Sequence, residues 1–289
     1  MIVWIASSGR SGNTFFRVVM HRLYGVDTYA AFKASEVLIT AGTEGLVGHK
    51  ELPKNLQAAV AAADPGQIRL ALEELESSRE LFVFKTHAMA HDLFGTHYRA
   101  ILVVRDGRDA LTSYANYLVD IRFDSAAFTN TLRKMARSKS ELLNRRAWIH
   151  LAKIFVMAAF GKAGLRRWLV SRKLQRLLSP DHELYFDWSR GNHSWLQHDP
   201  KPIIVYFDDL TRDPIGTVTR AVDSLGIGLV AKSNSSVPSF AELKKCYPSF
   251  FRRGISGDWR NHFTPAQEEL FRSQHGEMMK TLNFRVLDE

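Results

Sequence analysis

The residues Ser7-Ser8-Gly9-Arg10-Ser11-Gly12-Asn13-Thr14 follow a short apolar run and precede an amphipathic one. A glycine- and hydroxyl-rich turn between a strand and a helix aims backbone N–H groups at the helix N-terminus, where the macrodipole favours an anion. Gly9 and Gly12 permit tight curvature and close backbone approach, and Arg10 adds a fork of donors. The same composition also fits a tight turn that holds no ligand.

Two further groups of chemically useful residues follow apolar runs. Lys85-Thr86-His87 comes after the second run, and Arg105-Asp106-Gly107-Arg108-Asp109, with Ser113 one turn later, comes after the third. Ligands of open α/β sheets sit outside the carboxyl ends of the strands, so Arg10, His87 and Arg105 are expected in one crevice. A lone histidine is usually structural, whereas one beside a lysine at a strand end facing a phosphate loop is a candidate base. Arg105 also fits a surface ion pair with Asp106 or Asp109. A fourth group, Phe250-Phe251-Arg252-Arg253-Gly254-Ile255-Ser256-Gly257-Asp258-Trp259, joins two arginines to aromatics and glycines. Such a loop can clamp an anion while stacking on a base, and by itself it fits a nucleic-acid contact equally well.

The elements that must position these residues are readable from periodicity. Ile2–Ala6, Leu81–Phe84, Ala100–Val104 and Ile203–Phe207 are expected strands. Helices are expected over Thr14–Tyr24, Gln67–Ser78, Asp109–Leu118, Ser125–His150, Pro214–Leu225 and Pro265–His275. Gly25 and Gly226 read as stops, Gly161 and Gly164 as breaks, and Thr264 as an N-cap. Short apolar strands alternating with helices predict an α/β fold with a central parallel sheet flanked by helices. A single domain over 1–289 is expected, with a helical, basic insertion over 118–195.

Composition sets the limits. The 289 residues are 45% hydrophobic and 24% charged, which is globular usage. Cys246 is the only cysteine, excluding an internal disulfide and any multi-cysteine metal site. The longest strongly apolar stretch, Phe155–Phe160, is far short of the roughly 20 residues a membrane helix needs. The opening MIVWIASS has no charged n-region, so no secretory signal and a cytoplasmic enzyme are expected. The net charge of +9 favours anionic partners. Between Leu142 and Pro180 stand Arg145, Arg146, Lys153, Lys162, Arg166, Arg167, Arg172, Lys173 and Arg176, with no acid among them. Trp148, Leu151, Phe155 and Ala158, then Leu165, Trp168 and Leu169, are expected to form the apolar side of this segment. A basic amphipathic helix of that kind suits an anionic membrane, an anionic or lipid-linked acceptor, or simply solvent.

Taken in order, the motifs resemble those of the sulfotransferases that use 3′-phosphoadenosine 5′-phosphosulfate (PAPS). GRSGNTF resembles their PKSGTTW loop, VVRDGRDALTSY their RNPKDVxxSY motif, and FFRRGISGDWRNHFT their RKGxxGDWKxxFT signature. FKTH matches the segment with the catalytic histidine, and YFDDLTRDP resembles YEDLxxDP. The resemblance implies one α/β domain related to nucleotide kinases, with a helical substrate lid formed by residues 26–66 and 118–195. It implies that Arg10, Ser11, Gly12, Asn13 and Thr14 hold the 5′-phosphosulfate. Arg105 and Ser113 would bind the 3′-phosphate, with Arg252, Arg253 and Gly254 closing over it. Phe15 stands where an aromatic packs on adenine, and Phe207 and Phe251 would complete the cofactor site. His87 would be the general base, with Lys85 and Arg10 at the transfer centre. The cofactors implied are PAPS as donor and PAP as product, with no metal.

Three departures stand out. The usual loop lysine is Arg10, the usual tryptophan is Phe15, and the usual tyrosine before the acidic pair is Phe207. Arginine keeps the charge of lysine but is not interchangeable with it. The acceptor is left open among small-molecule, glycan and lipid-linked compounds bearing a hydroxyl or amine. Two rivals remain at this point. A P-loop small-molecule kinase using ATP shares the strand–loop–helix, but GxxxxGK[ST] does not fit the turn. A nucleic-acid-binding module would explain the basic interval, but it needs neither His87 nor the GDW loop, so no nucleic-acid partner is expected.

Overall fold

The computed structural model describes residues 1–30, 44–90, 98–123, 148–149, 152, 162–179, 188–233, 235–247 and 251–285. Among these residues are six strands: β1 (Ile2–Ser7), β2 (Thr28–Ala30), β3 (His49–Lys50), β4 (Phe82–Thr86), β5 (Arg99–Val104) and β6 (Ile203–Tyr206). They form one sheet in the order β3-β2-β4-β1-β5-β6, and every pairing is parallel. The helices are α1 (Asn13–Tyr24), α2 (Glu44–Val47), α3 (Lys54–Ala61), α4 (Pro65–Ser77), α5 (Gly107–Phe123), α6 (Lys162–Leu177), α7 (Trp188–Leu196), α8 (Phe207–Arg212), α9 (Pro214–Leu225), α10 (Phe240–Cys246) and α11 (Pro265–Thr281).

Alternation along β1 divides the core between the two faces of the sheet. Val3 and Ile5 join Phe15, Val19 and Val222 on one side, while Trp4 and Ala6 join Phe84, Leu102 and Leu72 on the other. All of β1 is buried, which is why it reads as a continuous apolar run. Chain order reverses around β1: the chain leaves it for β2 and returns to pair β4 and then β5 on its two sides. That reversal opens a crevice at the carboxyl ends of β4, β1 and β5.

Several expected boundaries shift. β2 and β3 are strands of three and two residues, and neither is foreshadowed by an apolar run. β6 stops at Tyr206, because Phe207 already opens α8. α4 begins at Pro65, since the Asp64 carboxylate accepts from the N–H groups of Gly66 (2.9 Å) and Gln67 (3.2 Å). Gly25 and Gly226 end their helices in left-handed conformation, and Thr264 caps α11, which extends six residues further than expected. Gly164 does not break the chain but lies within the first turn of α6. Gly161 and nearly all of Ser125–His150 lie outside the described residues.

α6 divides the expected apolar side, Leu169 packing against the core and Trp168 not. Its buried residues are Val170, Leu174 and Leu177, spaced as one helical face, and they join the core. Trp168 points outward, half exposed, with the Arg172 guanidinium 4.9 Å from its ring centroid. Arg166 pairs with Asp120 on α5 at 2.9 Å, so tertiary packing rather than the tryptophan spacing sets the helix's orientation. Among the described residues no helix is long and apolar enough to cross a membrane.

Candidate active site

Three adjacent strands end together. β1 finishes at Ser7, β4 at Thr86 and β5 at Val104, so the next residues of each chain segment are the glycine turn, His87 and Arg105. Lys85 sits opposite Ile5, and Thr86 opposite Ala6, in the β1–β4 register. α5 begins at Gly107, two residues after Arg105, and carries Ser113 in its second turn.

The turn before α1 is shaped by two positive backbone angles, φ 66° at Arg10 and φ 105° at Gly12. A Cβ at Gly12 would lie 2.6 Å from Cδ2 of Phe207, so the turn packs on that ring as closely as glycine allows. Asn13 anchors the helix start by donating from Nδ2 to the Ile5 carbonyl at 2.9 Å.

Arg10 reaches toward α5, where its Nε lies 3.4 Å from the Ser113 hydroxyl and its guanidinium stands 4.8 Å from the Tyr117 ring centroid. Burial, with Arg105 and Arg252 nearby, brings its pKa down to about 10 although Tyr117 works the other way. It is still a cation at neutral pH. Arg105 is buried and donates to the carbonyls of Arg10 (3.1 Å) and Ile255 (2.9 Å). Its pKa is likewise lowered, chiefly by burial. Arg105 is therefore not the surface ion-pair residue that its neighbours allowed. Asp106 instead binds Arg108 at 2.8 Å, and Asp109 accepts from the amides of Gly257 (2.6 Å) and Trp259 (2.9 Å).

His87 is buried with Nδ1 2.8 Å from the Ser7 carbonyl oxygen. A carbonyl only accepts, so Nδ1 carries the proton and Nε2 is the basic nitrogen. Burial first, and the Lys85 charge second, hold the imidazole pKa well below its ordinary value. The ring is neutral at physiological pH, as a proton acceptor must be.

On the far side, Arg252 and Arg253 both reach the buried Asp258 carboxylate, at 2.6 and 2.7 Å. Burial alone would raise the Asp258 pKa, but the Arg252 hydrogen bond and charge outweigh it and leave a net lowering. Gly254 has φ 66°, and a Cβ there would collide with the Phe240 ring at 2.6 Å. Phe240 in turn meets Phe15 and Phe251 edge-on, with centroids 5.6 and 5.4 Å away.

One cavity, about 680 Å³ counting its open mouth, gathers these groups. Arg10, Gly12, Asn13, Thr14, Phe15, Lys85, His87, Arg105, Ser113, Phe207, Phe251, Arg252, Arg253 and Gly254 all line it. Ser11 does not: it is fully buried, with its hydroxyl 2.6 Å from that of Ser8, and it braces the turn from behind. Phe240 lines the cavity but was not singled out from sequence. The available signal was the capping box from Ser239 to Glu242, which makes Phe240 the first residue of a helix.

A fully charged, polyanionic nucleotide suits this lining. Five cations border the cavity, and no Asp or Glu stands among its described lining residues. The Nε atoms of Arg105 and Arg252 are buried without a hydrogen-bond partner among the described residues. Buried donors of that kind call for an acceptor.

Comparison with known proteins agrees. The Sulfotransferase domain model matches residues 2–283, and the chain belongs to that family. Mouse Sulfotransferase 2B1 is 34% identical over 116 residues, covering 33% of this chain and 33% of that protein. Rat Sulfotransferase 2A6 is 31% identical over 107 residues, covering 30% of this chain and 38% of that one. The matches thus span well under half the length of these relatives. In overall fold the chain resembles the crystal structure of mouse sulfotransferase SULT7A1 complexed with PAP. That likeness has a TM-score of 0.54 at 16% identity and covers 98% of this chain and 88% of the other.

Proposed function

We propose that this protein transfers a sulfuryl group from PAPS to a hydroxyl or amine of an acceptor, with His87 as general base. The observation that carries the reading is the convergence of the glycine turn, Lys85, His87, Arg105 and the Arg252–Gly254 loop on one cavity with no acid among its described lining residues. PAPS supplies an activated sulfur whose bond to the bridging phosphate oxygen breaks as the bond to the acceptor forms.

The residues divide the work by position. Backbone N–H groups of the turn, Thr14 and the Arg10 guanidinium receive the 5′ end, where negative charge grows on the bridging oxygen. Arg105 and Ser113, with Arg252, Arg253 and Gly254 above them, hold the 3′-phosphate. Phe15, Phe207, Phe240 and Phe251 provide apolar walls for the purine. Nε2 of His87 takes the acceptor's proton, and Lys85 adds positive charge beside the reacting group. A positioned base of this kind contributes typically 10²–10⁴-fold. Mg²⁺–ATP is the poorer match, because Asp208 and Asp209, the acidic pair that follows β6, are occupied elsewhere. Asp208 bonds the Ser256 hydroxyl and Asp209 pairs with Arg212.

The acceptor reading is a small molecule, glycan or lipid-linked compound admitted beneath a lid within 118–195. The exposed side of α6, with Arg167, Trp168, Arg172 and Arg176, supports contact with an anionic membrane surface. Flotation with and without anionic lipid tests that contact, and equal recovery in both would end it. The activity itself is tested by incubating the protein with PAPS and a panel of hydroxyl and amine acceptors. Acceptor-dependent PAP release is the expected result, and none across the panel would contradict the reading.

A further inference from the structure

We propose that Asp109 is a positioning residue for donor binding, which sets the 251–259 loop so that Arg252 and Arg253 stand over the cavity. The inference rests on the donor-binding reading above. Asp109 lies in the first turn of α5, 1% exposed, yet its carboxylate does not cap its own helix. It reaches instead across nearly 150 residues of sequence, accepting from the amides of Gly257 at 2.6 Å and Trp259 at 2.9 Å.

Those two amides flank Asp258. Fixing them fixes the carboxylate between them, which pairs with Arg252 and Arg253 at 2.6 and 2.7 Å. Gly257 adopts φ 83°, which glycine takes without strain, so the turn is free to bring both amides onto the Asp109 carboxylate. Asp109 also sits four residues after Arg105 and four before Ser113. The segment from Arg105 to Ser113 therefore carries both the anion-side groups and the anchor for the loop that closes over them. An ionised carboxylate can accept both N–H groups, whereas an amide of the same shape offers a single acceptor oxygen.

The test compares Asp109→Asn and Asp258→Asn with the unmodified protein. Hydrogen exchange without ligand reads the tether, and calorimetry with PAP reads its consequence. Asp109→Asn is expected to lose protection at the Gly257 and Trp259 amides and to weaken PAP binding about tenfold, the order expected for a lost bond to a charged group. In an Arg252→Ala/Arg253→Ala background the same substitution is expected to change the Kd less than about twofold, because its effect acts through those side chains. Asp258→Asn keeps the amides protected while weakening PAP binding. Should Asp109→Asn not fold, the Asp258→Asn result decides. Unchanged protection, an unchanged Kd in either variant, or an equal loss in the double-alanine background would overturn the assignment. If the unmodified protein does not bind PAP, the functional reading fails, and the exchange arm still decides the tether.

Discussion

The Arg105 guanidinium lies 4.2 Å from the centroid of the Phe207 ring, while Gly12 packs against that ring from the glycine turn. A cation that points toward the proposed 3′-phosphate site is thereby stacked on the aromatic that also abuts the glycine turn. Phe207→Leu keeps the apolar volume but removes the ring face. A cation–π contact of about 0.5–2 kcal/mol implies a rise in the PAP Kd of roughly 2- to 30-fold. Calorimetry measures it, and an unchanged Kd would show that Arg105 is held without the ring.

Gly12→Ala is expected to be more severe. The new Cβ meets Phe207 in a backbone conformation that alanine resists, at a cost of about 1–3 kcal/mol. A fall in Tm of several degrees with at least a tenfold loss of PAP affinity is expected from about 2–4 °C per kcal/mol. Normal affinity in a well-folded Gly12→Ala protein would separate the turn from donor binding.

His87→Ala should retain PAP binding and lose about 10²–10⁴-fold in turnover. Because burial and Lys85 depress the imidazole pKa, the free base persists below the usual histidine range. With acceptors that do not titrate, kcat should stay flat from pH 8 through the ordinary histidine pKa and fall only at lower pH. A descending limb centred near pH 6.5 would contradict the neutral, buried ring.

The same depression has a stability signature. The unfolded chain binds a proton at His87 near pH 6.5 and the native protein only at lower pH. Protons are therefore bound preferentially by the unfolded state as pH falls through this window, and stability declines with them. The contribution is complete above the unfolded pKa. His87→Gln should flatten the pH dependence of denaturant unfolding below pH 6.5, and an identical slope in both proteins would remove His87 as its source.

Much of this site was legible because its residues follow buried strands whose apolar runs are unmistakable. Val3, Val83 and Val103 lie in fully covered strands, and the chain must present whatever follows them at the same edge. β2 and β3 escaped because Thr28–Ala30 and His49–Lys50 are too short to show a period, and only pairing to a neighbour makes them strands. Phe207 read as the last residue of a strand because its apolar character does not distinguish that from the first buried turn of α8. Trp168 was grouped with Leu165 and Leu169 on one apolar side, but spacing reports which residues share a face, not which face meets the sheet. Ser11 resembled a ligand contact, but its hydroxyl is turned to Ser8. Asp109 read in sequence only as a candidate ion-pair partner of Arg105, since the amides it accepts from lie nearly 150 residues away.

Equilibrium unfolding in the presence of either PAP or ATP with Mg²⁺ asks most directly what the cation-lined cavity was built to hold. At a hundred times its Kd, PAP should stabilise the native protein by about 2.7 kcal/mol, with little response to ATP and Mg²⁺. Stabilisation by ATP and Mg²⁺, with none from PAP, would mean that the cations around this cavity receive a different nucleotide.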